Sequence, residues 1–299
     1  MKCRICKEEA VVALQSHNTA FCAQCFLNFF THQVSRGIAM FDLFQAHERI
    51  LVALSGGKDS LALCLVLKEL DYKIAGLHLD LGIPSSSPKA RACVEGFCAK
   101  HSIPLHIVDF VAEGVGIKEV KAKLRRPICS ACGTLKRYYF NKTALDLGFD
   151  ALATGHNLDD EVSRLSSNTL RWDESYLSKQ GPYLPASPGF VRKVKPLWRV
   201  SEFVTANYAF LKDIDIHTAP CPYSQGASFP VLKNLMHNLE LAMPGRKLDF
   251  YQGFLKRGRP YFAANTQPEN TLKPCQKCGY PTAAEDLCSV CRIKELLAS

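Results

Sequence analysis

The apolar run Ile50-Leu51-Val52-Ala53-Leu54 stops at Ser55-Gly56-Gly57-Lys58-Asp59-Ser60, and a helical pattern follows at Leu61, Leu63, Leu65, Val66, Leu67 and Leu70. A buried strand that passes through a glycine turn into a helix points to a parallel α/β fold, because the helix carries the chain back across the sheet. The same turn is an anion site. Backbone N–H groups are unsatisfied at a helix N-terminus, and the helix dipole favours negative charge there. Gly56 and Gly57 permit a tight backbone and the close approach of a phosphate. Ser55 and Ser60 add hydroxyl donors, and Lys58 adds a point charge.

Strand patterns recur at 74–80, 105–110 and 151–154, and helical patterns at 33–48, 60–71, 88–101, 132–148 and 158–170. Strands separated by helices imply a parallel sheet with right-handed crossovers. Its ligands sit beyond the strand C-termini, where the strand order switches. The glycine turn, His78 with Asp80, and Thr154-Gly155-His156 all fall at such ends. The six-residue string is not a Walker A loop, in which four residues separate a first glycine from Gly-Lys-Ser/Thr. It resembles the pyrophosphate-binding PP-loop of the ATP pyrophosphatases that form adenylated intermediates. An ordinary glycine turn would explain Gly56 and Gly57 but not the whole string.

Fourteen cysteines are present, with Cys-x-x-Cys pairs at 3/6, 22/25, 129/132, 275/278 and 288/291. No apolar run is long enough to span a bilayer, and Met-Lys-Cys-Arg-Ile-Cys holds no apolar signal region, so a cytosolic chain is expected. In that compartment paired knuckles argue for metal before disulfides. Cys3, Cys6, Cys22 and Cys25 form one set for tetrahedral zinc, and Cys275, Cys278, Cys288 and Cys291 another. Segments so short cannot bury a core, so the metal would supply their folding energy. His17 and His32 are spare ligands, but four sulfurs already close each site. Cys64, Cys93 and Cys98 read as packing residues. The net charge of +9 suits a polyanionic partner, although many proteins that bind none share it.

Cys129-Ser130-Ala131-Cys132 is different. It lies between Lys118, Lys121, Lys123, Arg125 and Arg126 on one side and Lys136 and Arg137 on the other, with no second pair nearby. The nearest unassigned downstream thiol is Cys221, held between Pro220 and Pro222. Three thiolates on two segments can hold an iron–sulfur cluster with one iron open, act as redox thiols, or bind zinc. The residues alone leave these alternatives standing.

Several strings occur in a fixed order: Ser55 to Ser60, Cys129-x2-Cys132-Gly133 with Lys136-Arg137, Thr154-Gly155-His156-Asn157-Leu158-Asp159-Asp160-Glu161, and Cys221-Pro222-Tyr223-Ser224, flanked by the two four-cysteine modules. Together they resemble the TtuA family of tRNA 2-thiouridine synthetases over nearly the whole length. That family includes the eukaryotic cytoplasmic wobble-uridine thiolases; the related TtcA-type cytidine thiolases lack both terminal modules. The chain departs from the family at Val162-Ser163-Arg164, where members usually carry Ala-Gln-Thr, and in the arginine-poor stretch 226–234.

The resemblance implies an α/β parallel-sheet PP-loop ATP pyrophosphatase domain, adenine nucleotide alpha hydrolase-like, at 31–264, with zinc modules at 1–30 and 265–299. It implies a [4Fe-4S] cluster on Cys129, Cys132 and Cys221, and ATP at Ala53, Ser55, Gly56, Gly57, Lys58, Asp59, Ser60, His78, Leu79, Lys136, Gly155 and His156. Asp59, Cys129, Cys132, Lys136 and Asp160 would be catalytic. The partners implied are tRNA and a sulfur donor, either a thiocarboxylated ubiquitin-like protein or sulfide. A homodimer is compatible with it.

The chemistry expected is adenylation followed by thiolation. The C2 carbonyl of uracil is a poor electrophile and oxide a poor leaving group; AMP on that oxygen solves both problems. Lys58 would neutralise developing charge, and Asp59 with Asp160 would hold Mg²⁺. Sulfur would arrive as hydrosulfide at an open iron or as a persulfide on Cys129 or Cys132. Two readings from other classes remain: a PP-loop ligase or amidotransferase for another substrate, and a non-catalytic zinc-ribbon RNA-binding protein.

Overall fold

The chain opens with a hairpin of β1 (Val12–Leu14) and β2 (Thr19–Phe21), from which α1 (Ala23–Phe41) leads into the body of the molecule. There follow β3 (Arg49–Leu54), α2 (Lys58–Glu69), β4 (Lys73–Asp80), α3 (Ser87–Lys100), β5 (Leu105–Asp109), α4 (Ile117–Lys123), α5 (Ile128–Asp146), β6 (Ala151–Ala153) and α6 (Leu158–Leu170). The remainder comprises α7 (Glu174–Lys179), β7 (Tyr183–Leu184), β8 (Arg192–Val194), α8 (Glu202–Leu211), α9 (Phe229–Ala242), α10 (Arg246–Gly253), α11 (Arg259–Asn265), β9 (Lys273–Pro274), β10 (Pro281–Thr282) and α12 (Ser289–Ala298). This computed structural model describes residues 1–124, 127–219, 221–223, 229–265 and 272–298. Arg125, Arg126 and Ser224 lie outside the described residues.

The central sheet has the order β5-β4-β3-β6-β8-β7, parallel except for the β7–β8 pair. After β3 the chain moves outward through β4 and β5, then returns to the other side of β3 with β6. The switch point therefore lies between β3 and β6, and a crevice opens beyond their C-terminal ends. The PP-loop follows β3 and Gly155 follows β6, so both border it.

Side-chain alternation along the strands sorts the core into two faces. Ile50, Val52 and Leu54 join a cluster with Phe26, Phe30, Leu61, Val94 and Tyr208. Leu51 and Ala53 join the opposite cluster with Leu77, Ile117, Leu135, Tyr139 and Val290. The N-terminal cysteine module thus packs on one face, with α1, α2, α3 and α8. The C-terminal module packs on the other, with α4, α5 and α12.

The helix expected at 33–48 runs instead over Ala23–Phe41. It starts early because Cys22 caps it, its Sγ accepting from Cys25 N–H at 3.5 Å. It ends early because Asp42 turns left-handed at φ 48 to bring the chain to β3. Phe26, Phe30, Val34 and Ile38 repeat at four-residue spacing and are buried. Phe30 stacks on Tyr208 with ring centroids 3.9 Å apart. Each such side chain contributes about 2 kcal/mol on burial, so the helix is anchored by its tertiary face. Among the described residues no helix is long and apolar enough to cross a membrane.

Candidate functional site

The PP-loop is braced by its own hydroxyls. Ser60 Oγ donates to the Gly57 carbonyl at 2.9 Å and accepts from Ser55 N–H at 3.2 Å. Ser55 Oγ lies 3.2 Å from Ser60 Oγ and accepts from Gly57 N–H at 3.3 Å. Both serines therefore hold the loop in shape. The first intrahelical bond of α2 is Leu61 N–H to the Gly57 carbonyl, so the N–H groups of Lys58, Asp59 and Ser60 stand ahead of it as anion donors. Gly56 adopts φ +83, and a Cβ there would lie 3.3 Å from the Ala90 carbonyl. Gly155 is tighter still: its Cβ would stand 2.8 Å from Ser60 N and 2.9 Å from Asp59 C. The loop after β6 therefore rests directly on the first turn of α2, and only glycine allows that approach.

Asn157, fully buried at the N-cap of α6, ties the two loops together. Its Nδ2 donates to Asp59 Oδ1 at 3.0 Å, its backbone N–H donates to Asp160 Oδ2 at 3.1 Å, and its Oδ1 accepts from Asp160 N–H at 3.1 Å. Lys58 Nζ lies 3.1 Å from Asp59 Oδ2 and 2.6 Å from Glu202 Oε1. Lys233 Nζ lies 2.7 Å from Asp160 Oδ1 and 3.2 Å from Glu202 Oε2. Asp59, Lys58, Glu202, Lys233, Asp160 and Asn157 thus form a closed polar ring at the mouth of the crevice. Burial pushes the Asp59 carboxyl up, against the opposing pull of Lys58 and Asn157. Burial would also raise Glu202, but Lys58 and Lys233 outweigh it and hold that carboxyl low. Both lysines are raised, their carboxylate partners outweighing burial. Two carboxylates fixed by one asparagine suit Mg²⁺, which takes a few carboxylate oxygens together with phosphate oxygens.

The adjacent Asp159 behaves differently. It is buried, 2.5 Å from Lys247 Nζ, and accepts from Glu202 N–H at 2.7 Å. Asp159 therefore anchors α6 to α8 and α10, while Asp160 belongs to the crevice.

His78 Nδ1 donates to the Leu54 carbonyl at 2.9 Å, pinning the end of β3 to β4. Its Nε2 is buried with no hydrogen-bond partner, and burial pushes its pKa down. A neutral ring with a bare acceptor at a strand C-terminus fits a nucleotide pocket. Ala53 and Leu79 are buried in the core, so they offer a ligand only their backbone. His156 is exposed at the loop after β6. The surrounding protein, and then Lys195, push its pKa down, and its Nδ1 sits 2.8 Å from Thr154 Oγ1.

The thiol centre stands at the start of α5. That helix runs back to the beginning of β6, so its N-terminus lies at the same edge of the sheet as the PP-loop. Cys129 Sγ donates to the Tyr223 carbonyl at 3.3 Å, which brings the Cys221 segment against α5. Lys121 Nζ covers the Tyr223 ring at 4.2 Å. Burial pushes Cys132 up, Lys136 one turn later pulls it down, and Cys221 and Cys129 add to the rise. Cys129 and Cys221 are exposed and Cys132 is half-buried. The three are near enough to influence one another electrostatically, but among the described residues only the two terminal sets bring their sulfurs within 4.8 Å of one another.

The terminal sets are compact. In each, four ligand sulfurs lie within 4.8 Å of one another. Cys6 and Cys22 are 3.5 Å apart and Cys278 and Cys288 are 3.7 Å apart; sulfurs at about 2.3 Å from a tetrahedral zinc would be separated by about 3.8 Å. Backbone N–H groups point at sulfur, with Cys288 N–H on Cys275 Sγ at 3.2 Å and Cys291 N–H on Cys288 Sγ at 3.4 Å. Burial raises Cys3 and Cys275, but neighbouring N–H groups outweigh it and hold each at about 6.

The sequence pattern brings out the loop, the paired cysteines and Asp160. It misses Asn157, Glu202 and Lys233 as site residues. Asn157 with Asp160 three residues on is a helix N-cap signature that was available in the sequence; the others meet the site only through the fold.

Residues 27–171 match the model of a PP-loop domain, and residues 2–27 that of the 2-thiouridine synthetase TtuA N-terminal LIM domain. A tRNA-5-methyluridine(54) 2-sulfurtransferase of Pyrococcus horikoshii is 42% identical over 98% of this chain and 93% of its own length. One of Thermus thermophilus with the same name is 40% identical over 98% of this chain and 91% of its own. The solved U34-tRNA thiolase NcsA of Methanococcus maripaludis, with its [4Fe-4S] cluster, superposes with a TM-score of 0.83 at 26% identity, covering 99% of this chain and 96% of that one.

Proposed function

Because the chain belongs to the TtuA family of tRNA 2-thiouridine synthetases, we propose that its crevice adenylates the C2 oxygen of a tRNA uridine and replaces it with sulfur. The observation that supports this reading is the Cys129–Tyr223 contact, which brings the segment carrying Cys221 against the start of α5, at the same sheet edge as the PP-loop and the Asp59–Asn157–Asp160 bridge. One adenylated base can then meet both halves of the chemistry.

In the first half the N–H groups ahead of α2, with Lys58, hold the triphosphate. Asp59 and Asp160 present their oxygens to Mg²⁺, and Asn157 keeps them aligned. The uracil O2 attacks the α-phosphorus, and the bond to the β-phosphate oxygen breaks to release pyrophosphate. In the second half sulfur adds at C2 and AMP leaves with the former carbonyl oxygen. A [4Fe-4S] cluster on Cys129, Cys132 and Cys221 would supply an iron site for sulfide. Sulfur delivered at the sulfide level, by a thiocarboxylated ubiquitin-like protein or by sulfide itself, balances this exchange without an external electron donor. The terminal sets take zinc. Thiolate ligand sets of this kind suit action in the reducing cytoplasm.

The target we assign is 5-methyluridine at position 54, because relatives bearing that name share 40–42% identity with this chain against 26% for the U34 thiolase. Nucleoside mass spectrometry of tRNA from a deletion strain tests it: 2-thio-5-methyluridine should vanish. Loss of wobble 2-thiouridine instead would move the target, and loss of neither would overturn the reading.

A further inference from the structure

The polar ring holds a cation that the PP-loop does not explain. Lys233 comes from α9, the first described helix after the Cys221 segment, yet its ammonium lies 2.7 Å from Asp160 and shares Glu202 with Lys58. Glu202 sets one negative charge between two ammonium groups. It is also the most exposed member of the ring, with 41% of its side chain accessible against 28% for Lys233 and 23% for Lys58. It can therefore swing into water without leaving a buried charge behind. A triphosphate brings several negative charges to the same place. Phe229 lies beneath Lys233 at 5.9 Å and beneath Arg164 at 5.0 Å, which keeps the start of α9 against α6 as the ammonium moves.

We propose that Lys233 is a second phosphate-binding cation of the adenylation site, held in reserve by Glu202 until MgATP arrives. Lys58 and Lys233 then exchange Glu202 for phosphate oxygens, and Lys233 stabilises the departing pyrophosphate. This rests on the adenylation reading. It also gives α9 a second task, because α9 is the next described element after the segment carrying Cys221.

The test measures pyrophosphate and MgATP binding by calorimetry on the full chain with its metals, together with Tm, iron content and ATP–pyrophosphate exchange in the presence of tRNA. Lys233→Ala should weaken pyrophosphate binding about tenfold and raise the KM for ATP, in line with the loss of a charge-assisted phosphate contact. Lys233→Arg should recover most of the affinity. Glu202→Gln should bind pyrophosphate more tightly than wild type, because the competing carboxylate is gone. A residue that merely pins α9 to α6 would lower Tm and leave pyrophosphate affinity alone. Wild-type affinity in Lys233→Ala overturns the proposal, as does a loss that tracks a lowered Tm and is not restored by arginine. If the wild-type protein itself shows no exchange with tRNA, the adenylation reading fails, and the calorimetry still reports on Lys233.

Discussion

In the terminal modules every ligand sulfur has three others within 4.8 Å, and backbone N–H groups cap the sulfurs. At the crevice Cys129 and Cys221 are exposed, and Cys129 Sγ donates to the Tyr223 carbonyl instead of accepting from a backbone N–H. The difference lies in how the fold delivers the thiols. Each terminal set comes from two adjacent tight turns, so it closes on itself. The crevice set comes from α5 and a segment far along the chain, and its three sulfurs are not drawn within 4.8 Å of one another as the terminal ones are. A set of the first kind suits holding structure together, and one of the second kind suits reaction.

The largest test of that contrast is to break a closed set. Cys3→Ala and Cys275→Ala each remove a buried sulfur held at about 6 by neighbouring N–H groups. Structural zinc binds zinc-finger peptides with about 10–16 kcal/mol, so either variant should lose one zinc and a large share of its thermal stability. Both modules pack into main core clusters, which carries the damage inward. Elemental analysis and calorimetry check this; a variant that keeps its Tm shows that its set is not structural.

Breaking the open set should leave the fold standing. Cys221→Ala removes an exposed side chain, so stability should change by less than about 1 kcal/mol. Iron should fall to background while both zincs remain. A full complement of iron in that variant would remove Cys221 from the ligand set.

Asp59→Ala should spare zinc and iron alike. It deletes one end of the Asn157 bridge and one carboxylate available to Mg²⁺. Thiolation should fall about 10²–10³-fold, as when one preorganised electrostatic group is lost. Single-turnover assays with tRNA check this, and near-wild-type turnover would take Asp59 out of the chemistry.

The same contrast explains what the sequence made legible. Closed sets and the PP-loop are local: spacing within a few residues shows them, and so do the apolar strands β3 and β4. The polar ring is not local. Glu202 lies on α8 and Lys233 on α9, in a region where no elements were expected, because β7 and β8 are two and three residues long and carry no strong alternation. Neighbours in sequence can also part company: Asp159 and Asp160 look like one acidic pair, but helix geometry turns Asp159 into the core and Asp160 into the crevice. Ser55 and Ser60 look like ligand donors until the fold shows their hydroxyls bonded to the loop itself.

The smallest expected effect asks which kind of region meets the RNA. Lys118 and Lys123 are exposed on α4, beside the thiol centre. Lys121 is a poorer probe because it also covers the Tyr223 ring. Lys2 and Arg4 are exposed on the N-terminal module and give the matched control. A phosphate contact contributes to salt dependence, and each one lost should flatten the slope of log K against log salt by about 0.7–0.9. A target base drawn to the thiol centre sets the backbone nearby, so Lys118→Glu with Lys123→Glu should weaken tRNA binding several-fold and flatten the slope, with ATP binding, iron and zinc unchanged. Lys2→Glu with Arg4→Glu should leave the slope as it is. If the two pairs exchange these outcomes, the closed module carries the RNA contact and the open centre receives only the base, which separates docking from chemistry more sharply than the thiols alone do.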